Sequence, residues 1–122
     1  MRRLPVLIAA TALFALAGTA NAHPKLLSAS PAANATVATP ARVELHFSET
    51  LMLAFSKADL TMAAMPGMAA MAMPSTATLA AHGKTLVITP KAKLSAGRYN
   101  VAWHVVSTDT HKVAGNYAFA VK

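Results

Sequence analysis

The 122-residue chain has no cysteine. That excludes disulfides, thiolate metal sites and cysteine nucleophiles. Charged residues make up 12% and aromatic residues 6%, with a single Trp. Acids are the scarcest group: Glu44, Glu49, Asp59 and Asp109 stand against eleven Lys and Arg. The basic residues are scattered rather than clustered, so the charge excess is no nucleic-acid footprint. Beyond residue 22 there is also no uninterrupted helical stripe.

The chain opens with Met1-Arg2-Arg3, an apolar run from Leu4 to Gly18, and Ala20-Asn21-Ala22. Basic, apolar and small residues in that order form a secretory signal, and the run is short for a membrane span. An uncleaved anchor is the alternative. The expectation is therefore a signal over residues 1–22, cleavage after Ala22, and one exported domain over 23–122 that is not membrane-embedded. Nine Lys and Arg against four acids leave that domain at a net +5. With no disulfide it must be held by packing. In an oxidising compartment its soft metal ligands must be methionines.

Short runs of alternating apolar and polar residues predict strands over 42–47, 84–89, 99–105 and 116–121, with weaker candidates at 25–30, 57–62 and 76–81. Turn signals at Ser30-Pro31, Thr39-Pro40, His82-Gly83, Thr89-Pro90 and Ala96-Gly97 separate them. About seven short strands predict an all-β antiparallel sandwich or Greek-key barrel.

Methionine is abundant where cysteine is missing. The stretch "TMAAMPGMAAMAMP", 61–74, holds Met62, Met65, Met68, Met71 and Met73. Pro66-Gly67 and Pro74 break any regular helix, so the stretch reads as a long connection between strands. Thioethers select Cu(I), whereas flexible methionines also make adaptable contact surfaces. Residue types alone leave both readings open.

Cleavage after Ala22 would make His23 the first residue. Its amine and imidazole Nδ1 could then chelate one metal ion, and Pro24 has no amide proton to surrender. From residue type alone, the plainer reading is that His23 is simply where a signal ends. Asp109 and His111 are two positions apart, which in an extended segment turns both side chains to one side. Amine, imidazoles and carboxylate suit tetragonal Cu(II). The pair alone also fits a solvated turn. His46 and His104 fall opposite the apolar faces of their strands and His82 precedes a turn glycine, so all three read as solvent-facing.

The segments "HPKLLSASP" (23–31), "ELHFSE" (44–49), "MPGM" (65–68), "LVITP" (86–90) and "AGRYNVAWHVVSTDTH" (96–111) resemble the CopC family of periplasmic copper-binding proteins. The resemblance implies a seven-stranded Greek-key barrel or immunoglobulin-like sandwich with copper sites at opposite ends. It implies Cu(II) at His23, Asp109 and His111, with Glu49 at an associated position, and Cu(I) at Met62, Met65, Met68, Met71 and Met73. It further implies copper resistance and homeostasis in the periplasm, with exchange of copper with a multicopper oxidase or an inner-membrane transporter. Related methionine loops carry a histidine where this chain has Ala69, Ala70 and Ala72, so a Cu(I) site here would be all-thioether or would borrow a ligand from outside.

A carrier or buffer with no chemistry of its own is the leading expectation, and the chain is not expected to be an enzyme. A copper monooxygenase with a histidine chelate is the alternative, opposed by Asp109 in a position that oxygen would need. A non-metal interaction module is the third reading.

Overall fold

The computed structural model describes residues 23–122; the expected signal segment lies outside them. Nine strands form among these residues: β1 (Leu26–Ser30), β2 (Thr36–Val37), β3 (Val43–Phe47), β4 (Lys57–Met62), β5 (Met71–Met73), β6 (Ser75–Ala80), β7 (Thr85–Pro90), β8 (Gly97–Val106) and β9 (Lys112–Val121). They make a four-stranded sheet ordered β1-β3-β7-β6 and a five-stranded sheet ordered β2-β9-β8-β4-β5. The pairing is antiparallel except for β2, which runs parallel to β9. Two separate sheets make this a sandwich.

Period-two alternation decides which face each strand buries. On β3 it turns Val43, Leu45 and Phe47 inward, and on β8 it turns Tyr99, Val101, Trp103 and Val105 inward. Leu86 and Ile88 of β7 and Leu60 and Met62 of β4 complete the same core. Phe47 and Trp103 meet edge to face across the two sheets, with ring centroids 5.1 Å apart. The Tyr99 hydroxyl keeps a polar partner by donating to the Ser95 carbonyl at 2.6 Å. Each fully buried apolar side chain stabilises by about 1.5–3 kcal/mol, which is how the domain holds without disulfides.

All seven expected strands are present, and the two further ones are short. The reading of the methionine stretch as a plain connection needs correcting, because Met71–Met73 pairs with Leu60–Met62 as an added edge strand. Pro66 and Gly67, with Gly67 at φ +81°, are the tip of a hairpin rather than a mere break. They supply what a type II turn requires: a fixed φ at its first central residue and a positive φ at its second. Met65 and Met68 close that turn with reciprocal backbone bonds of 2.9 and 2.8 Å.

Strand β8 spans the sandwich. Its first residues lie against Met62, through the Met62–Tyr99 register pair, and its last residue leads into Ser107. Ten residues at a strand's rise separate the two ends by roughly 30 Å. Among the described residues, no helix is long and apolar enough to cross a membrane.

Candidate functional site

At the far end of β8 the chain turns sharply through Ser107-Thr108-Asp109-Thr110-His111. The Ser107 N–H donates to the His111 carbonyl at 3.0 Å, and the Thr110 N–H donates to the Ser107 carbonyl at 2.8 Å. Thr110 sits at φ +71°, a left-handed conformation that β-branched residues rarely adopt. The expectation of an extended segment fails here. Asp109 and His111 converge because the chain folds back between them.

The Asp109 carboxylate receives the Ser107 hydroxyl on Oδ1, while its Oδ2 lies 3.0 Å from His111 Nδ1. Nδ1 is buried, and the Asp109 carboxylate is the acidic group it faces. The Ser107 hydroxyl above all holds the Asp109 carboxyl below its ordinary value. Partial desolvation opposes this and the His111 ring adds to it.

The N-terminal segment reaches the same end. Pro24 is fully buried, and the Lys25 N–H donates to Ser48 Oγ at 2.9 Å. The Ser48 N–H returns a bond to the Lys25 carbonyl at 2.9 Å. Anchored in this way, the His23 ring meets His111 edge-on, with centroids 4.6 Å apart. The route is not side-by-side pairing of terminal strands, since β1 and β9 belong to different sheets. Glu49 lies between Ser48 and Thr50, and Thr50 accepts the Thr108 N–H at 3.0 Å, so it borders the same loops. Among the described residues, no three His, Asp or Glu side chains already enclose a metal position. His23 has its ring against His111 rather than a nitrogen aimed at the carboxylate.

The methionines gather at the opposite end. Met62 is 6% exposed and belongs to the core, whereas Met68 and Met71 are 45% and 48% exposed. Met65 and Met73 are half-buried. Gly97, at φ +154°, leaves the space that Met62 and Met65 occupy: a Cβ there would stand 2.8 Å from Met62 Cε and 3.8 Å from Met65 Sδ.

His46 is engaged elsewhere, with Nδ1 2.9 Å from Thr85 Oγ1 and Nε2 3.8 Å from Glu44 Oε2. His104 is exposed on β8, and His82 sits at φ +60° in the β6–β7 turn. These positions bear out the solvent-facing expectation for His82 and His104; His46 is half-exposed.

Sequence reasoning missed Ser107. Its signal was available: counting by twos from Tyr99 through Val105, the next inward position is a serine, and a buried polar residue needs a partner.

Fold and site together define a small β-sandwich with thioethers at one end and an imidazole–carboxylate cluster at the other. The family model described as the CopC domain matches residues 26–122, and the chain belongs to the CopC family. It is 50% identical over 105 residues to Copper resistance protein C of Pseudomonas syringae pv. tomato, covering 84% of this chain and 83% of that one. Among solved structures it is similar to PcoC, a methionine-rich copper resistance protein from Escherichia coli. There the TM-score is 0.76 and the identity 44%, over 83% of this chain and all of that one. CopC from Methylosinus trichosporium OB3b follows at TM-score 0.71 and 30% identity, over 82% and 94% of the two chains.

Proposed function

We propose that this protein is a periplasmic copper carrier or buffer of copper resistance, with copper as its cargo and no catalysis of its own. Residues 1–22 direct export and are removed, leaving His23 as the first residue. Cu(II) is held by the amine and imidazole of His23 with Asp109 and His111. Cu(I) is held by the thioethers of Met65, Met68, Met71 and Met73, with Met62 reached from the core side.

The observation that carries this reading is the convergence of His111 Nδ1 and Asp109 Oδ2, 3.0 Å apart, at the end of the fold where the His23 ring also meets His111. Two nitrogen or oxygen donors about 2.0–2.2 Å from an ion and at right angles to each other stand about 2.8–3.1 Å apart. The pair therefore has the spacing of neighbouring ligands on a tetragonal ion. Asp109 also stands ionised in the metal-free protein and has no proton to lose on binding. A free amine at His23 completes the donor set, since an amide nitrogen in a peptide bond is a poor donor. Met62 and Met65, both reaching over Gly97, support a soft site at the other end. The copper resistance names of the relatives agree with this assignment. Exchange partners of the corresponding chemistry are a periplasmic multicopper oxidase and an inner-membrane copper transporter.

The test is separate titration with Cu(II) and Cu(I), with competing chelators, of protein whose first residue is verified by mass spectrometry as His23. One site for each ion is expected. His111→Ala should abolish tight Cu(II) binding and spare Cu(I), whereas Met65→Ala with Met68→Ala should do the reverse. A variant that weakens both ions equally refutes two independent sites.

A further inference from the structure

We infer that the Ser107 hydroxyl is a positioning group for the Cu(II) site, fixing the rotation of the Asp109 carboxylate so that one oxygen is left facing His111. This inference rests on the proposed Cu(II) site and adds to it a residue that contributes no ligand.

Ser107 is 1% exposed and lies just beyond β8, at the next inward-facing position, where an apolar residue would continue the core face. Its hydroxyl donates to Asp109 Oδ1 and lies 3.4 Å from the His111 carbonyl. Its backbone N–H and C=O close the two ends of the turn, on His111 and Thr110. The neighbouring Leu51–Ser107 bridge ties it to the sandwich. One residue thus fixes both the frame that carries the two side chains and the orientation of one of them.

The geometry divides the carboxylate by task. Oδ1 is committed to serine, and Oδ2 stands 3.0 Å from His111 Nδ1. Without the hydroxyl, an exposed carboxylate rotates about its Cβ–Cγ bond with little penalty, because that torsion is broad. The metal would then have to order it on binding. Thr110 works in the same direction: a left-handed, β-branched residue persists only where surroundings over-determine it, and such positions cluster at binding sites. The Thr110 hydroxyl, donating to the Asp109 carbonyl at 2.6 Å, helps to hold that conformation.

The experiment compares Cu(II) competition titrations and electron paramagnetic resonance spectra of the wild-type exported protein, Ser107→Ala, and the matched pair Ser107→Thr and Ser107→Val. Threonine and valine have the same shape and differ only in the hydroxyl. We expect Ser107→Ala and Ser107→Val to lose tenfold or more in Cu(II) affinity with altered hyperfine splitting. Ser107→Thr should stay within about threefold of wild type, and Cu(I) affinity should be constant throughout. In an Asp109→Ala background, Ser107→Ala should cost less than twofold more, because a group acting through Asp109 has nothing left to position. Wild-type Cu(II) affinity and spectrum in Ser107→Ala and Ser107→Val overturn the inference. So does an undiminished loss in the Asp109→Ala background, or an equal loss of Cu(I) binding, which marks general destabilisation. If Ser107→Ala and Ser107→Val fail to fold, proton NMR of metal-free wild type decides the matter. An exchange-protected Ser107 hydroxyl that becomes unprotected in Asp109→Ala, which removes its acceptor, supports the inference, and its absence from wild type overturns it. A wild type that binds no Cu(II), or an unaffected His111→Ala, fails the site itself; both behaving as expected with Ser107→Ala unchanged fails the positioning role alone.

Discussion

Asp109 and Tyr117 respond to the fold in opposite directions. Asp109 is held below its ordinary value of 3.8 by Ser107 first and by the His111 ring as well. A depressed carboxyl stabilises the folded state above its unfolded value and loses that contribution as pH falls through the folded one. Asp109→Asn should therefore flatten the acid limb of the stability curve below about pH 4, measured by urea melts of the metal-free protein. Tyr117 is the reverse case. Burial raises its phenol to about 12, and its hydroxyl has no hydrogen-bond partner among the described residues. The unfolded chain ionises near 10 while the folded one does not, so this group's contribution is complete below about pH 10 and is lost as pH climbs towards about 12. Tyr117→Phe should remove that alkaline loss and be neutral or stabilising at pH 7, since it deletes an unsatisfied buried group. Absorbance titration of the phenolate alongside thermal melts checks both statements. A Tyr117→Phe protein markedly less stable at pH 7 would reveal a partner for the hydroxyl.

The methionine hairpin shows what alternation could and could not disclose. Strands β3, β7, β8 and β9 were legible because apolar and polar residues alternate along them, and β1, β4 and β6 were legible more weakly. Strand β5 was not legible: Met-Ala-Met has little strand preference of its own and forms an edge because β4 offers it a register. Asp109 and His111 were legible as a pair, but the turn joining them was not, because a threonine occupies a left-handed position that usually announces itself by glycine. The hairpin depends on another glycine. Gly97→Ala places a methyl against the end of the Met62 side chain, with Met65 Sδ in ordinary contact beyond it, in a conformation unsuited to an L side chain. It should cost about 1–3 kcal/mol and weaken Cu(I) binding while leaving Cu(II) binding intact. Chemical denaturation and chelator competition on the same preparation separate the two effects. Unchanged Cu(I) affinity would mean that Met62 and Met65 take no part in the soft site.

Across the whole molecule, the two candidate sites lie at opposite ends of β8, roughly 30 Å apart. That is several times the screening length of about 8 Å at physiological ionic strength, so charge gained at one end is barely felt at the other. The two donor sets also differ in their protons. Imidazole and a terminal amine must be deprotonated to bind Cu(II), so apparent Cu(II) affinity should fall steeply between about pH 8 and about pH 5. Thioethers have no proton to lose in that range. The hairpin carries alanine at positions 69, 70 and 72, so Cu(I) affinity should be nearly flat over the same interval. Acidification would then bias the protein towards carrying Cu(I) without any conformational change. Competition against chelators calibrated at each pH measures both curves on one preparation. A tenfold or greater loss of Cu(I) affinity at the acidic end, about 1.4 kcal/mol, would reveal a titrating ligand in the soft site. Neither His46 nor His82 offers one: the β6–β7 turn lies beside Thr50 and Thr108 at the other end of the sandwich, and His46 pairs with Thr85 next to that turn, so such a loss would mean that Cu(I) is held outside the hairpin.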